Sequence, residues 1–172
     1  MERRNAWLSY TEAEEKELEK AAKAYRNFLN AGKTERECVT QIVKEAREAG
    51  YESLEEKTAK GEKLKAGDKI YTVGMKKIVA LFHIGQDDIE EGMNILGAHI
   101  DSPRLDVKQN PLYEDTDLAY LDTHYYGGVK KYQWVTLPLA IHGVVVKKDG
   151  SVAEVNIGED EEDPIVYITD LL

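Results

Sequence analysis

The sequence predicts an α/β fold in its first half and a β-rich second half. Apolar residues recur at helical spacing between residues 11 and 50, and two apolar, strand-like runs follow them. After Pro103 the helical periodicity is lost, and β-branched and aromatic residues are interrupted by Gly, Pro and Asp. These three observations predict two domains, an α/β domain over residues 1–103 and a β-rich domain over residues 104–172.

Two helices open the chain, and each begins with the same capping signal. Thr11 is followed three residues later by Glu14, and Thr34 by Glu37. In this arrangement the hydroxyl and the carboxylate each accept a hydrogen bond from a backbone N–H that the helix leaves unpaired. Gly32 ends the first helix in this interpretation.

The second helix carries Cys38, the only cysteine of the chain, on its apolar stripe. A single cysteine cannot form an intramolecular disulfide bond, and on such a stripe it is best interpreted as a small buried hydrophobe rather than a nucleophile. Gly50 follows the stripe, where we expect a left-handed residue to end the helix.

The strands are predicted from apolar runs and turn residues. Residues 51–67 are polar and interpreted as a loop, residues 69–85 as two strands joined by Gly-Met-Lys, and residues 93–100 as a third strand. Between two later apolar runs, Asp149 and Gly150 predict a hairpin with a type I′ turn, which needs positive φ at both central residues.

Composition narrows the class of protein. The chain has 172 residues, 42% hydrophobic and 33% charged, with a formal net charge of −10. That charge repels phosphate backbones, so we expect no nucleic-acid partner. The longest apolar run, residues 78–82, is far too short to span a bilayer, and residues 1–10 lack the apolar core of a signal peptide. A cytoplasmic protein without a membrane partner is the simplest expectation.

The most suggestive chemistry lies at His99 and Asp101, just before Ser102 and Pro103. If residues 93–100 form a strand, residues two apart face the same side, so the imidazole and the carboxylate would project together from its end. His99 is then a candidate metal ligand and Asp101 a carboxylate that orients it. A structural histidine stays the alternative, because zinc needs several ligands and the pattern shows one.

Other site types have less support. Phosphate-binding glycine loops, C-x-x-C, H-E-x-x-H and G-x-S-x-G patterns are absent from the sequence. The remaining histidines lie in strand-like runs and are interpreted as structural: His83, His124 and His142. Two acidic groups are interpreted as solvated loops: residues 158–164, and the cluster of Glu114, Asp115 and Asp117.

Several segments, taken in order, resemble the M18 family of metallo-aminopeptidases, the aspartyl aminopeptidase family. His-x-Asp-Ser-Pro at residues 99–103 is followed by Tyr-Gly-Gly at 126–128, by Trp134 and by the apolar run at 137–146. The opening "RRNAW" and the helix after it resemble the bacterial branch. The likeness covers nearly the whole chain, and the ordered set is more specific than His-x-Asp alone.

The resemblance implies a fold and an activity. The fold would be an α/β-sandwich catalytic domain of the zinc exopeptidase type, continuing into an inserted β-rich domain of the dimerisation type. The activity would be removal of the N-terminal, often acidic, residue from a peptide substrate by water activated at two divalent metal ions, usually zinc, with a Glu as base. His99 would be a metal ligand, and Asp101 the carboxylate that orients the site. Family members form homo-oligomers, including tetrahedral dodecamers.

The sequence departs from the family at two places and in its length. Ile100 stands where many members have Thr, and residues 135–138 replace an acidic or basic pair. The family's other metal ligands follow the inserted domain, so we expect the chain to be the N-terminal portion of a larger enzyme and inactive alone. Two alternatives stay open: a non-catalytic assembly or binding fragment, and a sister α/β metallopeptidase with another inserted domain.

Overall fold

The structure is a computed structural model that describes residue 3 and residues 5–168. Its elements follow the chain as a series of helices and strands. They are α1 (Glu12–Ala31), α2 (Glu35–Glu48), β1 (Glu52–Ser53), α3 (Leu54–Ala59), β2 (Lys69–Gly74), β3 (Ile78–His83), β4 (Arg104–Asp115), β5 (Leu118–Tyr126), β6 (Ile141–Val146) and β7 (Val152–Ile157). The mixed α/β class is as predicted. No helix of the described ranges is both long and apolar enough to cross a membrane.

Backbone contacts divide the chain into two units, residues 1–100 and residues 101–172. All three α-helices lie in the first unit, and the second unit has four strands. The division falls three residues before the predicted boundary. The assignment of the two units to a catalytic and an inserted domain is still a prediction.

Both helix starts have the predicted capping boxes. The Thr34 hydroxyl accepts a hydrogen bond from the Glu37 backbone N–H at 3.3 Å, and the Glu37 carboxylate accepts one from the Thr34 N–H at 2.8 Å. Thr11 and Glu14 repeat the exchange in α1. Gly50, with φ of 85°, lies just after the end of α2, as predicted.

We expect the Thr34 cap to be worth about 1 kcal/mol of unfolding free energy, the typical loss when a capping threonine becomes alanine. Thr34→Ala removes the oxygen that accepts from Glu37. Thr40→Ala is the control, because the Thr40 hydroxyl only donates to the Arg36 carbonyl within the helix, at 3.0 Å. Urea unfolding followed by helix circular dichroism compares the two. Equal losses would contradict the role of the cap.

The first unit has a small sheet with β2 in its centre. β1 pairs parallel to β2 and β3 pairs antiparallel to it, with Ile70 opposite Phe82. The buried hydrophobic residues of the described chain are on α2 and β2: Cys38, Val39, Ala46, Ile70 and Tyr71. The core of this unit therefore lies between the second helix and the central strand.

Part of the predicted loop at residues 51–67 is regular structure. β1 and the short helix α3 occupy residues 52–59. The Ser53 hydroxyl accepts from the Glu56 backbone N–H at 3.3 Å and starts α3. This Ser-x-x-Glu signal resembles those of the longer helices, but the six-residue helix that follows has only Leu54 and Ala59 as apolar residues, too few for a helical periodicity to reveal it.

The second unit consists of two antiparallel hairpins. β4 pairs with β5, with an irregularity between Val107 and Leu112, and β6 pairs with β7. The hairpin at Gly150 forms as predicted, but the prediction of a type I′ turn is wrong. Among residues 147–151 only Gly150 has positive φ, and the Lys147 N–H bonds to the Ser151 carbonyl at 2.8 Å, which makes a longer loop. Thr116 and Asp117, both with positive φ, instead join β4 to β5 in the type I′ manner.

Candidate functional site

The segment that carries His99 has no regular secondary structure from residue 92 to residue 103. The predicted strand over residues 93–100 is therefore wrong. A strand is defined by a neighbour that exchanges backbone hydrogen bonds with it, and no strand in the described part of the chain pairs with this segment. Its apolar side chains lie at the surface, with Ile95 79% and Leu96 100% exposed.

His99 and Asp101 do not share a strand face, because neither residue lies in a strand. The two residues also belong to different units, since the division falls between Ile100 and Asp101. His99 is exposed and Asp101 is half-buried. Exposure leaves the imidazole accessible, as a metal ligand must be before the ion binds.

Helix α2 holds the backbone next to His99. The Cys38 sulfur lies 3.4 Å from the Gly32 carbonyl oxygen and 3.7 Å from the Ile100 carbonyl oxygen, both within reach of a weak S–H donor. Burial, followed by the negative charges of Glu37 and Glu35, raises the pKa of the Cys38 thiol. The thiol therefore keeps its proton, which fits a packing role and argues against a nucleophile.

The Asp101 carboxylate is held by a tyrosine that is distant in sequence. The Tyr126 hydroxyl donates a hydrogen bond to Asp101 Oδ2 at 3.0 Å. Tyr126 is the last residue of β5, and Asp101 precedes β4 by three residues. Antiparallel pairing of β4 with β5 brings the start of one strand to the end of the other, and so brings these two side chains together.

Arg104 lies directly opposite Tyr126 in the strand register and completes a small polar cluster. Its guanidinium carbon stands 4.2 Å from the centre of the Tyr126 ring. Its Nε donates to Asp106 Oδ1 at 2.7 Å. The sequence analysis missed both Tyr126 and Arg104 as site residues. The Tyr-Gly-Gly motif was the available signal, but the motif alone does not say what the tyrosine touches.

Glycine at position 127 allows the chain to pass close to Pro103. Gly127 has φ of 72°, a conformation that side chains disfavour, and a Cβ there would lie 3.4 Å from three atoms of Pro103. The end of β5 is therefore packed against the segment that begins at Asp101. The positive φ, rather than a lack of space, is what favours glycine immediately after the tyrosine.

The described residues do not form a complete metal site. The structure, over the residues it describes, has no group of three or more His, Cys, Asp or Glu side chains that could hold a metal ion. An exposed imidazole suits zinc as a single ligand, but a stable zinc site needs further ligands. His99 alone therefore does not make a zinc site.

The other histidines lie in strands, as predicted. His83 is in β3, His124 in β5 and His142 in β6. His142 Nε2 lies 2.9 Å from a carboxylate oxygen of Glu159. Of the acidic cluster, Asp117 lies in the turn between β4 and β5, which agrees with the loop interpretation. Glu114 and Asp115 are the last two residues of β4, so the loop interpretation is wrong for these two.

Comparison with known proteins gives one consistent family. Residues 28–172 match the family described as aminopeptidase I zinc metalloprotease (M18). A probable M18 family aminopeptidase 1 of Clostridium acetobutylicum is 56% identical over 171 residues, which are 99% of this chain and 37% of the relative. A probable M18 family aminopeptidase 1 of Thermotoga maritima is 44% identical over 176 residues, covering 100% of this chain and 36% of the relative.

Solved structures agree. The crystal structure of aminopeptidase I from Borrelia burgdorferi B31 superposes with a TM-score of 0.89 at 41% identity, over 98% of this chain and 41% of that one. The chain thus spans a little more than a third of the length of the curated relatives it matches, 37% of the Clostridium protein.

Proposed function

The chain belongs to the M18 family of aminopeptidase I zinc metalloproteases, and from this premise we propose that the complete gene product is a metal-dependent aminopeptidase. The observation that carries the proposal is similarity along the whole chain, 56% over 171 residues, to a protein named as an aminopeptidase. The segment from His99 to Pro103 lies inside the matched region. The substrate would be a peptide with a free N-terminus.

His99 would be a ligand of one of two divalent metal ions, with zinc as the native metal. Such a pair of ions polarises a carbonyl group and lowers the pKa of a bound water. Because no metal cluster exists among the residues the structure describes, the other ligands and the general base would come from further residues of the gene product. The chain would then be the N-terminal portion of the enzyme, inactive alone.

Asp101 would be the carboxylate that orients the metal site. Its carboxylate is already fixed by the Tyr126 hydroxyl at 3.0 Å. Carboxylates near a metal-binding histidine commonly set the orientation of the ring and raise its basicity. The half-buried position of Asp101 suits this role.

Two finer properties are part of the proposal. The enzyme would prefer an acidic N-terminal residue, and it would be a cytoplasmic homo-oligomer as large as a dodecamer. The second unit supports assembly, because its two hairpins expose apolar residues: Leu112 is 72%, Tyr125 57% and Val146 65% exposed. Exposed apolar residues that form a contiguous patch commonly mark a surface that a partner covers.

The test uses the complete gene product and a series of aminoacyl-p-nitroanilides carrying Asp, Glu, Leu or Lys. We expect release of nitroaniline that stops after treatment with 1,10-phenanthroline and returns when zinc is added. The order of rates across the four substrates tests the acidic preference, and light scattering measures the size of the assembly. Hydrolysis that is indifferent to the chelator would refute the metal mechanism.

A further inference from the structure

We propose that Tyr126 is a positioning residue that acts through Asp101, holding its carboxylate in the orientation the metal site requires. This inference rests on the proposed function, and adds to it a residue for which sequence reasoning found no role. The contact that motivates it is the hydrogen bond from the Tyr126 hydroxyl to Asp101 Oδ2, at 3.0 Å.

Contacts with the ring of Tyr126, separate from those of its hydroxyl, hold the ring in place. Arg104 faces Tyr126 across the β4–β5 pair, with its guanidinium 4.2 Å from the ring centre. The guanidinium is held in turn by Asp106 at 2.7 Å and by the Ser102 carbonyl oxygen at 3.4 Å. A ring fixed in this way delivers its hydroxyl to one place, so the bond to Asp101 costs little additional side-chain entropy.

The electrostatics also favour the bond. A cation over the face of an aromatic ring is attracted to its electron density and polarises the ring, which makes the phenol a better donor. The acceptor is a half-buried carboxylate, and hydrogen bonds to charged acceptors are stronger than those between neutral groups. Arg104 thus supports the tyrosine both sterically and electrically.

The backbone makes the arrangement local and rigid. Gly127 follows Tyr126 with φ of 72°, and a Cβ there would meet Pro103 at 3.4 Å. Pro103 is two residues after Asp101 in the chain. The end of β5 therefore lies against the segment that begins at Asp101. The hydrogen bond from the Tyr126 hydroxyl forms where these two stretches of backbone meet.

The test is a double-mutant cycle in the complete gene product, with Tyr126→Phe, Asp101→Asn and both together. Tyr126→Phe removes one oxygen and keeps the ring under Arg104. Tyr125→Phe is the matched control, since it removes the same atom from the neighbouring residue of β5, whose ring contacts Lys131 at 4.8 Å. Zinc affinity, by competition with a chromogenic chelator, and kcat and KM on a peptide substrate are measured for each.

We expect Tyr126→Phe to weaken zinc binding and lower kcat by about tenfold, the smaller of the losses usual for groups that orient metal ligands, with KM nearly unchanged. Tyr125→Phe should stay close to the wild type. The double variant should lose no more than Asp101→Asn alone, because the tyrosine acts through that carboxylate.

Thermal unfolding separates positioning from simple support of the fold. Tyr126 is 41% exposed, so loss of its oxygen should leave the melting temperature within a degree or so of the control. A lower melting temperature with unchanged zinc affinity and kcat would overturn the proposal, and so would additive losses in the double variant. Chelator-indifferent activity of the wild type would refute the proposed function itself. A chelator-sensitive wild type with a normal Tyr126→Phe would refute this inference alone.

Discussion

Replacing His99 by alanine in the complete gene product is expected to lower aminopeptidase activity by at least about a hundredfold, the upper loss seen when only an orienting partner of a ligand is removed. The reason is that His99 is the metal ligand this chain supplies in the proposed site. Its side chain is exposed and its segment has no regular structure. Little packing is therefore lost with the imidazole, and the fold should survive.

The measurement pairs activity with metal content and unfolding. Zinc per chain should fall, while the urea midpoint should change little. His83→Ala is the control, because His83 is also an exposed histidine of the first unit but lies in β3. If the His99 variant unfolded, His99 would be a packing residue, and if it kept wild-type activity and zinc, His99 would not be a ligand.

The helices of this chain could be predicted from its sequence because their signals are local. A capping threonine and its glutamate are three residues apart, and both reach the same free backbone groups whatever surrounds them. The positions of α1 and α2, the glycine after α2 and the burial of Cys38 all follow from such short-range patterns. Two strands with a tight connection could be predicted for the same reason.

The strand predicted at residues 93–100 shows where local signals fail. An apolar run indicates that a segment can be a strand, but pairing depends on a partner elsewhere in the chain. The described residues provide no such partner, so the run stays irregular and exposed. The predicted type of turn at Gly150 is wrong for a similar reason, because the longer loop that forms there needs only one residue with positive φ.

The candidate site could be predicted only in part. The motif gives His99 and Asp101 as neighbours in sequence, and the resemblance gives them roles. The contact between Tyr126 and Asp101 joins residues 25 positions apart. It depends on the register of β4 against β5, which includes an irregularity after Val107. No periodicity in the sequence reveals that register, so the contact on which the proposed role of the tyrosine rests became visible only in the structure.

Ile70→Ala, in the core of the first unit, is expected to lower the free energy of unfolding by about 3 kcal/mol. This value lies within the range measured when a buried large aliphatic residue is replaced by alanine. Ile70 lies on the central strand β2 and is 2% exposed. The described residues have five buried hydrophobic side chains, and Ile70 is one of them. A small core has few contacts to compensate for the cavity.

Unfolding of the first unit can be followed separately, because α1, α2 and α3 all lie in it and give the circular dichroism signal at 222 nm. Ile78→Ala is the matched control, with the same atoms removed from a side chain of β3 that is 69% exposed. Urea titrations of the 172-residue chain should show a clearly lower midpoint for Ile70→Ala and a midpoint near the wild type for Ile78→Ala. Equal shifts would mean that the unfolding free energy does not depend on the contact between α2 and β2. A loss near 3 kcal/mol would be a large fraction of the roughly 5 kcal/mol typical of the least stable domains, so the Ile70 variant would retain about 2 kcal/mol and unfold at a much lower urea concentration.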